Sequence, residues 1–110
     1  MECTLDEQQN FVILRIDGNM KTEEDYGVFK DYVDGILDQG KKNIIVDLKK
    51  LEYMNSAGLG RLILTSKKCG KLGGTLRAVG LSEEMNELFT MTRLIETIKV
   101  FVDEQEAMNA

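Results

Sequence analysis

The most informative part of the sequence covers residues 51–63 and reads Leu-Glu-Tyr-Met-Asn-Ser-Ala-Gly-Leu-Gly-Arg-Leu-Ile. It follows an apolar run, Asn43–Leu48, that is flanked by charged residues. Such a run is typical of a short strand buried on both faces of a sheet. Asn55 and Ser56 are both residues that favour the capping position at the beginning of a helix. The stretch therefore predicts a strand, a loop over residues 49–55, and a helix that begins at Ser56.

The predicted helix extends to about residue 72, and one of its sides is typical of a core-facing surface. That side contains Leu59, Leu62, Ile63, Ser66 and Cys69. Gly58 and Gly60, near its start, are unfavourable there, because glycine costs up to about 1 kcal/mol relative to alanine inside a helix. Two explanations stay open: the glycines let the helix pack closely on the sheet, or a partner docks over the exposed helix end with Ser56 at its centre. A phosphate-binding loop is a weak third explanation, since its lysine and full glycine pattern are missing.

The part of the chain before this stretch predicts a hairpin followed by a helix. Residues 3–7 and Phe11–Ile16 have the composition of strands, and Asp17-Gly18-Asn19 is expected to end the second strand. Thr22 is the predicted N-cap of the first helix, since three acidic residues follow it where the helix dipole favours negative charge. Apolar residues then recur at helical spacing towards Gly40, the predicted C-cap.

The part after the stretch continues the alternation of strands and helices. Thr75–Val79 and Ile98–Val102 are predicted strands. Ser82 is the predicted N-cap of a third helix, and Asp103 begins a last helical turn or two. Alternation of this kind requires parallel strands joined by right-handed crossovers. We therefore predict an α/β fold in a single domain over residues 1–110, with a small mixed β-sheet, made of the N-terminal hairpin plus parallel strands, and about four helices.

Composition argues against several classes of function. The formal net charge is −5 and the isoelectric point is about 4.8, which makes nucleic acid a poor partner, because phosphate contacts drive that affinity. Histidine, the commonest general base and metal ligand, is absent. No apolar run approaches the roughly 20 residues of a membrane span, and the acidic N-terminus is unlike a signal peptide. We expect a soluble cytoplasmic protein that is not an enzyme and has no cofactor, metal or membrane partner.

The sulfur-containing residues are predicted to be structural. Cys3 and Cys69 lie far apart with no CxxC spacing, so they are expected to be free thiols. Cys69 lies on the apolar side of its helix and is expected to be a small core residue. Met85 and Met91 are likewise predicted to fill the core. The acidic run at residues 103–106 is interpreted as a solvated helical face.

The motif at the junction resembles the signature of a known family. Val46-Asp47-Leu48, followed by Tyr53-Met54-Asn55-Ser56-Ala57-Gly58-Leu59-Gly60, is similar to the signature of STAS domains, and within them of the anti-sigma factor antagonists, also called anti-anti-sigma factors. The resemblance covers nearly the whole chain, with supporting similarities at residues 15–18, 73–76 and 85–98. It implies the STAS fold, which agrees with the α/β prediction.

The resemblance also implies a function in sigma-factor-dependent transcription. In the family, the unphosphorylated antagonist binds an anti-sigma factor, often a GHKL-type serine kinase, and so frees the sigma factor. The kinase phosphorylates the serine of the motif, which is Ser56 in this chain, and a PP2C-type phosphatase reverses the modification. The implied partner-binding residues are Lys21, Tyr53, Met54, Asn55, Ser56, Ala57, Gly58, Leu59 and Gly60.

The chain departs from the family pattern at two positions. Asn55 occupies the place of the usual aspartate before the serine, and Lys21 lies where the family usually has a second acid. Asn55 still favours a helix cap, but both carboxylates that a kinase contact would use are missing. An alternative function is therefore a STAS interaction module that binds its partner without phosphorylation.

Three further questions stay open at the level of the sequence. Asp17 and Asp47 permit a third function, an enzyme or a small-ligand carrier at the sheet edge, although a loop-capping role is the simpler interpretation of Asp47. Tyr53 and Met54 are either an exposed anchor for a partner or part of the core. Arg61 either holds a partner carboxylate or a phosphate, or is merely exposed.

Overall fold

The computed structural model describes all 110 residues and contains one five-stranded sheet. The strands lie side by side in the order of the sequence: β1 (Glu2–Gln8), β2 (Phe11–Met20), β3 (Asn43–Met54), β4 (Thr75–Val79) and β5 (Lys99–Phe101). β1 pairs with β2 in antiparallel orientation, and strands β2 to β5 run parallel to one another. This arrangement confirms the predicted mixed sheet of an N-terminal hairpin plus parallel strands.

Four α-helices and one 3-10 turn accompany the sheet. They are α1 (Glu23–Asp38), α2 (Ser56–Lys71), α3 (Glu83–Met91), the 3-10 turn (Leu94–Glu96) and α4 (Glu104–Asn109). The first three helices connect successive parallel strands, and right-handed crossovers place all three on the same face of the sheet. The main core of 22 buried residues lies between this face and the three helices. α4 covers the opposite face and contributes to a smaller core of 5 buried residues.

The predicted helix beginnings agree with the structure, because each has a side chain that accepts a hydrogen bond from the first turn. Thr22 caps α1 in a capping box, Ser82 caps α3, and Asp103 caps α4. These bonds satisfy N–H groups that have no partner inside the helix. At the other end of α1, Gln39 is the C-cap and Gly40 follows it with a φ of +81°, so the predicted cap lies one residue off.

β2 and β3 are longer than the sequence predicts, and this difference determines where α2 begins. The predicted break at Asp17-Gly18-Asn19 is instead an irregular continuation of β2, in which Gly18 adopts a φ of +102°. The predicted loop over residues 49–55 is mostly strand, since it pairs with that continuation as far as Met54 opposite Met20. Each segment supplies the backbone hydrogen bonds that the other needs, a pairing that neither segment reveals alone.

The predictions for Met91 and Val102 are wrong. Met91 is 81% exposed and does not fill the core. It lies about 200° around α3 from the fully buried Phe89, since each residue turns the helix by about 100°. Val102 is 76% exposed and lies outside β5, which ends one residue earlier. By contrast, Cys69 and Met85 are buried as predicted, and burial raises the pKa of the Cys69 thiol to about 11.

Candidate functional site

The junction between β3 and α2 is fixed by a hydrogen bond to the last residue of β2. The Asn55 N–H donates to the Met20 carbonyl at 3.3 Å, which fixes the last extended residue before the helix. The Asn55 side-chain oxygen accepts from the Gly58 N–H at 2.9 Å, so Asn55 is the N-cap of α2. Ser56 is consequently the first residue of the helix, and it is exposed.

Tyr26 on α1 is a second support of the junction. Its hydroxyl donates to the same Asn55 oxygen at 2.8 Å, while its ring is buried. The Asn55 amide nitrogen donates to the Lys21 carbonyl at 3.3 Å. Asn55 thus uses both its acceptor and its donor, and a carboxylate at this position would lack the donor. The helical spacing places Tyr26 only on the apolar side of α1 and does not predict this role. The signal in the sequence is that a buried tyrosine hydroxyl usually finds a hydrogen-bond partner.

The residues predicted to bind a partner divide into an exposed group and a buried group. The exposed group consists of Lys21, Tyr53, Ser56 and Ala57, with Asn55 and Gly60 partly exposed. The buried group consists of Met54, Gly58 and Leu59. Tyr53 and Met54 therefore have opposite environments, at 53% and 4% exposure. The assignment of the buried group to the partner contact stays a prediction, and its burial indicates that these residues support the exposed group.

The two glycines of the motif also have different environments. A Cβ at Gly58 would lie 2.6 Å from the Met54 Cγ and 3.1 Å from the Met20 carbonyl oxygen. A Cβ at Gly60 would meet nothing within 4 Å. The explanation that glycine lets the helix pack closely on the sheet therefore holds for Gly58 but not for Gly60.

Arg61 fixes the first turns of α2 against α1. It is partly buried, and its guanidinium lies 5.7 Å from the centre of the Tyr26 ring. A cation at this distance over an aromatic ring is attracted by the ring. Tyr26 therefore contacts the helix beginning twice, since its hydroxyl holds Asn55 and its ring holds Arg61.

A second candidate site lies on the opposite face of the sheet, beside α4. Asp17 and Asp47, the acids of the third function, both line a pocket of about 650 Å³ there. Arg15 donates to both carboxylate oxygens of Glu104, at 2.8 and 2.7 Å. Asp47 is 8% exposed and accepts from the Lys49 N–H at 3.0 Å. Both residues lie inside β3, so Asp47 accepts from a strand N–H beside a register irregularity, and the loop-capping interpretation of Asp47 is wrong.

The acids of this pocket contribute to the fold in different ways. Burial, reinforced by the neighbouring Glu104 carboxylate, raises the pKa of Asp47. A hydrogen bond from Arg15, followed by one with Asp47, lowers the pKa of Glu104 to about 2. The prediction that Glu104 belongs to a solvated face is therefore wrong, since its side chain ties α4 to β2. The structure contains no group of three or more potential metal ligands among histidine, cysteine, aspartate and glutamate, and none of its helices is long and apolar enough to cross a bilayer.

A family model described as the STAS domain matches residues 2–107 of the chain. The chain belongs to the STAS domain family. A curated relative of this STAS domain is the anti-sigma-B factor antagonist of Bacillus subtilis strain 168, which is 34% identical over 73 residues. That alignment covers 66% of this chain and 66% of the relative, slightly less than two thirds of each.

Solved structures show the same fold as this STAS domain. An anti-sigma factor antagonist from Mycobacterium paratuberculosis superposes with a TM-score of 0.86 at 17% identity, covering 98% of this chain and 91% of that one. The Bacillus cell fate determinant SpoIIAA in its phosphorylated form superposes with a TM-score of 0.76 at 19% identity, covering 98% and 97%. At these identities the likeness establishes the fold of the chain and not its function.

Proposed function

We propose that this STAS domain is an anti-sigma factor antagonist whose binding is ended by phosphorylation of Ser56. The observation that carries the proposal is the placement of Ser56, which is exposed at the first position of α2. The residue before it, Asn55, is held by β2 through Met20 and by α1 through Tyr26. The hydroxyl is therefore open to a kinase and stands on a rigid support. The relative that is named an anti-sigma-B factor antagonist supports the same function.

A phosphate on Ser56 is compatible with the fold. Phosphorylation adds about −1.5 to −2 charges and three acceptor oxygens. The first N–H groups of a helix have no partner inside it, and the helix dipole favours negative charge at this end. The first turn of α2 contains no acidic residue that would repel the phosphate. The modification would therefore change the surface and leave the stability of the domain nearly unchanged.

The same phosphate would be costly inside a docked interface. A partner that packs on Tyr53, Ser56 and Ala57 removes water from the serine hydroxyl. A phosphate at that position would lose its hydration and would need a matching cation on the partner. The exposed Glu52, close in sequence, adds negative charge to this region. Phosphorylation is thus expected to oppose docking while the domain stays folded.

Two further components complete the proposal. The anti-sigma factor would be a GHKL-type serine kinase that modifies Ser56, and a PP2C-type phosphatase would remove the phosphate. The exposed group around Ser56 would form the contact, whereas the buried group would support it. The domain would act in the cytoplasm by binding, without catalysis of its own.

A second function is favoured by Asn55 and Lys21. The Asn55 amide uses its donor on the Lys21 carbonyl, an arrangement that a carboxylate at position 55 would not reproduce. The exposed Lys21 side chain places a cation where the family usually has an acid. A kinase that recognises those acids would find neither, so the alternative is a STAS module that binds its partner without phosphorylation.

Calorimetric titration of Ser56 variants tests the proposed switch. The wild type, Ser56→Ala and Ser56→Asp are titrated with each purified anti-sigma factor of the source organism. We expect Ser56→Ala to keep the wild-type affinity and Ser56→Asp to weaken binding at least about 30-fold, as a charge left unpaired in an interface does. Equal affinities of the two variants would remove Ser56 as the switch.

Two controls separate the alternatives. Asn86→Asp adds the same charge at an exposed position on α3 and should leave the affinity unchanged. The intact mass of the wild type is measured after incubation with the bound anti-sigma factor and ATP. One added phosphate, lost in Ser56→Ala, supports the switch; binding without any added phosphate supports the second function.

A further inference from the structure

The outer face of α2 is largely uncovered by the rest of the chain. We define this face by the side chains Ser56, Ala57, Gly60, Arg61, Leu64, Lys67, Lys68 and Lys71. At about 100° per residue, these positions fall within one half of the helix circumference. They lie opposite the buried residues Gly58, Leu59, Leu62, Thr65 and Cys69. The outer face of α2 is therefore the side of the helix that a partner can reach.

The outer face of α2 is basic, whereas the chain as a whole is acidic. α2 contains four basic residues and no acidic residue, while the net charge of the chain is −5. Lys68 pairs with Asp34 at 3.2 Å, and Arg61 lies over the tyrosine ring described above. Lys67 and Lys71 are exposed and take part in none of the six ion pairs of the structure. These two cations have no acidic partner within the chain.

An apolar side chain lies between the serine and the free lysines. Ser56, Gly60, Leu64, Lys67 and Lys71 follow one another at spacings of three or four residues, so they form one continuous row along the helix. Leu64, in the middle of the row, is 49% exposed. Because Gly60 has no Cβ, a partner can approach the helix backbone closely beside Leu64. The row thus combines a glycine that lets a partner approach the helix, an exposed leucine, and two lysines without an acidic partner in the chain.

We propose that this row docks on an acidic surface of the anti-sigma factor, with Leu64 buried as the anchor and Lys67 and Lys71 facing carboxylates of the partner. The inference rests on the proposed function and adds the chemistry of the partner. It also extends the docking surface along α2 from Ser56 to Lys71, which is about 22 Å at 1.5 Å per residue.

The charge distribution favours a protein over a nucleic acid as the occupant. Outside α2, the exposed acids Glu23, Glu24 and Glu52 would repel a polyanion that extends past the row. A folded partner with a local acidic patch places its carboxylates only against the row. Opposite charges at that one place also fix the orientation of the complex and speed its formation.

Paired charge reversals test this inference separately from the Ser56 switch. Lys67→Glu/Lys71→Glu changes the row, and Lys50→Glu/Lys99→Glu changes the net charge equally at two exposed positions on β3 and β5. Both variants are titrated at low and high salt with the anti-sigma factor that binds the wild type. Their melting temperatures are measured to show that they fold. Leu64→Ala is titrated beside them.

We expect the reversal on α2 to weaken binding at low salt by roughly tenfold or more, with a smaller loss at high salt, where charges are screened. The control reversal should bind like the wild type, and Leu64→Ala should weaken binding at both salt concentrations.

Equal affinities of the two reversals would overturn the inference and leave the proposed function standing. If no anti-sigma factor of the source organism binds the wild type, both fail. Binding of a DNA duplex that the α2 reversal abolishes would overturn the inference and assign the face to nucleic acid.

Discussion

The two faces of the sheet use their polar residues in opposite ways. Beside α4, Arg15, Glu104 and Asp47 satisfy one another or nearby backbone, although they line a pocket of about 650 Å³. At the beginning of α2, the partly exposed Asn55 has hydrogen-bond partners for its side chain, and the exposed Ser56 follows it. The pocket is thus a structural joint, whereas the surface around Ser56 leaves exposed side chains on a rigid support. If Ser56 is the docking point that we propose, exposed groups on a rigid support indicate a binding site better than concavity does.

The strongest test of the support is Gly58→Ala. The added methyl group would press on Met54 and on the Met20 carbonyl that fixes the junction. Overpacking of this kind typically costs about 1–3 kcal/mol, so urea unfolding should show a clearly lower free energy of unfolding. Gly70→Ala, at an open position of the same helix, is the matched control and should not destabilise the domain. An unchanged urea midpoint for Gly58→Ala would contradict the packing role of this glycine.

Two substitutions of Asn55 separate what its hydrogen-bond acceptor and its donor each contribute to stability. Asn55→Ala removes the cap and should cost about 1–2 kcal/mol in the free energy of unfolding. Asn55→Asp keeps the acceptor but loses the donor to the Lys21 carbonyl, so its loss should be smaller than that of the alanine variant. If thermal melting shows both variants equally destabilised, the acceptor contributes nothing. Phosphorylation of Asn55→Asp, but not of the wild type, by the bound kinase would support the second function.

Gly60→Ala separates stability from binding on the exposed side. The new methyl group would meet nothing within 4 Å, and alanine favours a helix over glycine by about 0.5–1 kcal/mol. The free energy of unfolding should therefore rise, while the affinity for the anti-sigma factor falls. Gly35→Ala, at an exposed position on α1 where an added Cβ also meets nothing within 4 Å, should raise stability alone. If calorimetry finds that the two variants bind equally well, no close approach occurs at Gly60.

The smallest expected effect concerns the pocket beside α4 and appears only in acid. The pKa of Glu104 falls from its ordinary value of 4.5 to about 2, so its charge stabilises the fold above about pH 4.5, and this contribution is lost between about pH 4.5 and 2. Asp47 has a raised pKa and acts in the opposite sense, which reduces the net change. Thermal melting of Glu104→Gln should therefore show lower stability at pH 7 and a flatter decline in acid. The exposed control Glu87→Gln should follow the wild type; a Glu104→Gln curve parallel to the wild type would contradict the role of the ion pair.

Local features of the fold were predictable from the sequence. Thr22, Ser82 and Asp103 were identified as helix beginnings, because a cap depends on residues within three positions of it. β4 was predicted with its observed bounds, since its apolar run ends at a glycine. The prediction that Met91 fills the core is wrong because it considered only that the side chain is apolar. The position of Met91 around the helix places it away from the buried side.

The amino-acid sequence is enough to predict the order of strands and helices, the family motif and the position of Ser56 at the start of α2. The packed structure is needed to see what holds that serine in place and which of its neighbours reach the surface. Tyr26 and Asn55 are 29 residues apart, and Arg15 and Glu104 are 89 residues apart. Caps and periodicity depend on neighbours within a turn, and the sequence displays them directly. Bonds between distant residues exist only after packing has brought the strands and helices together.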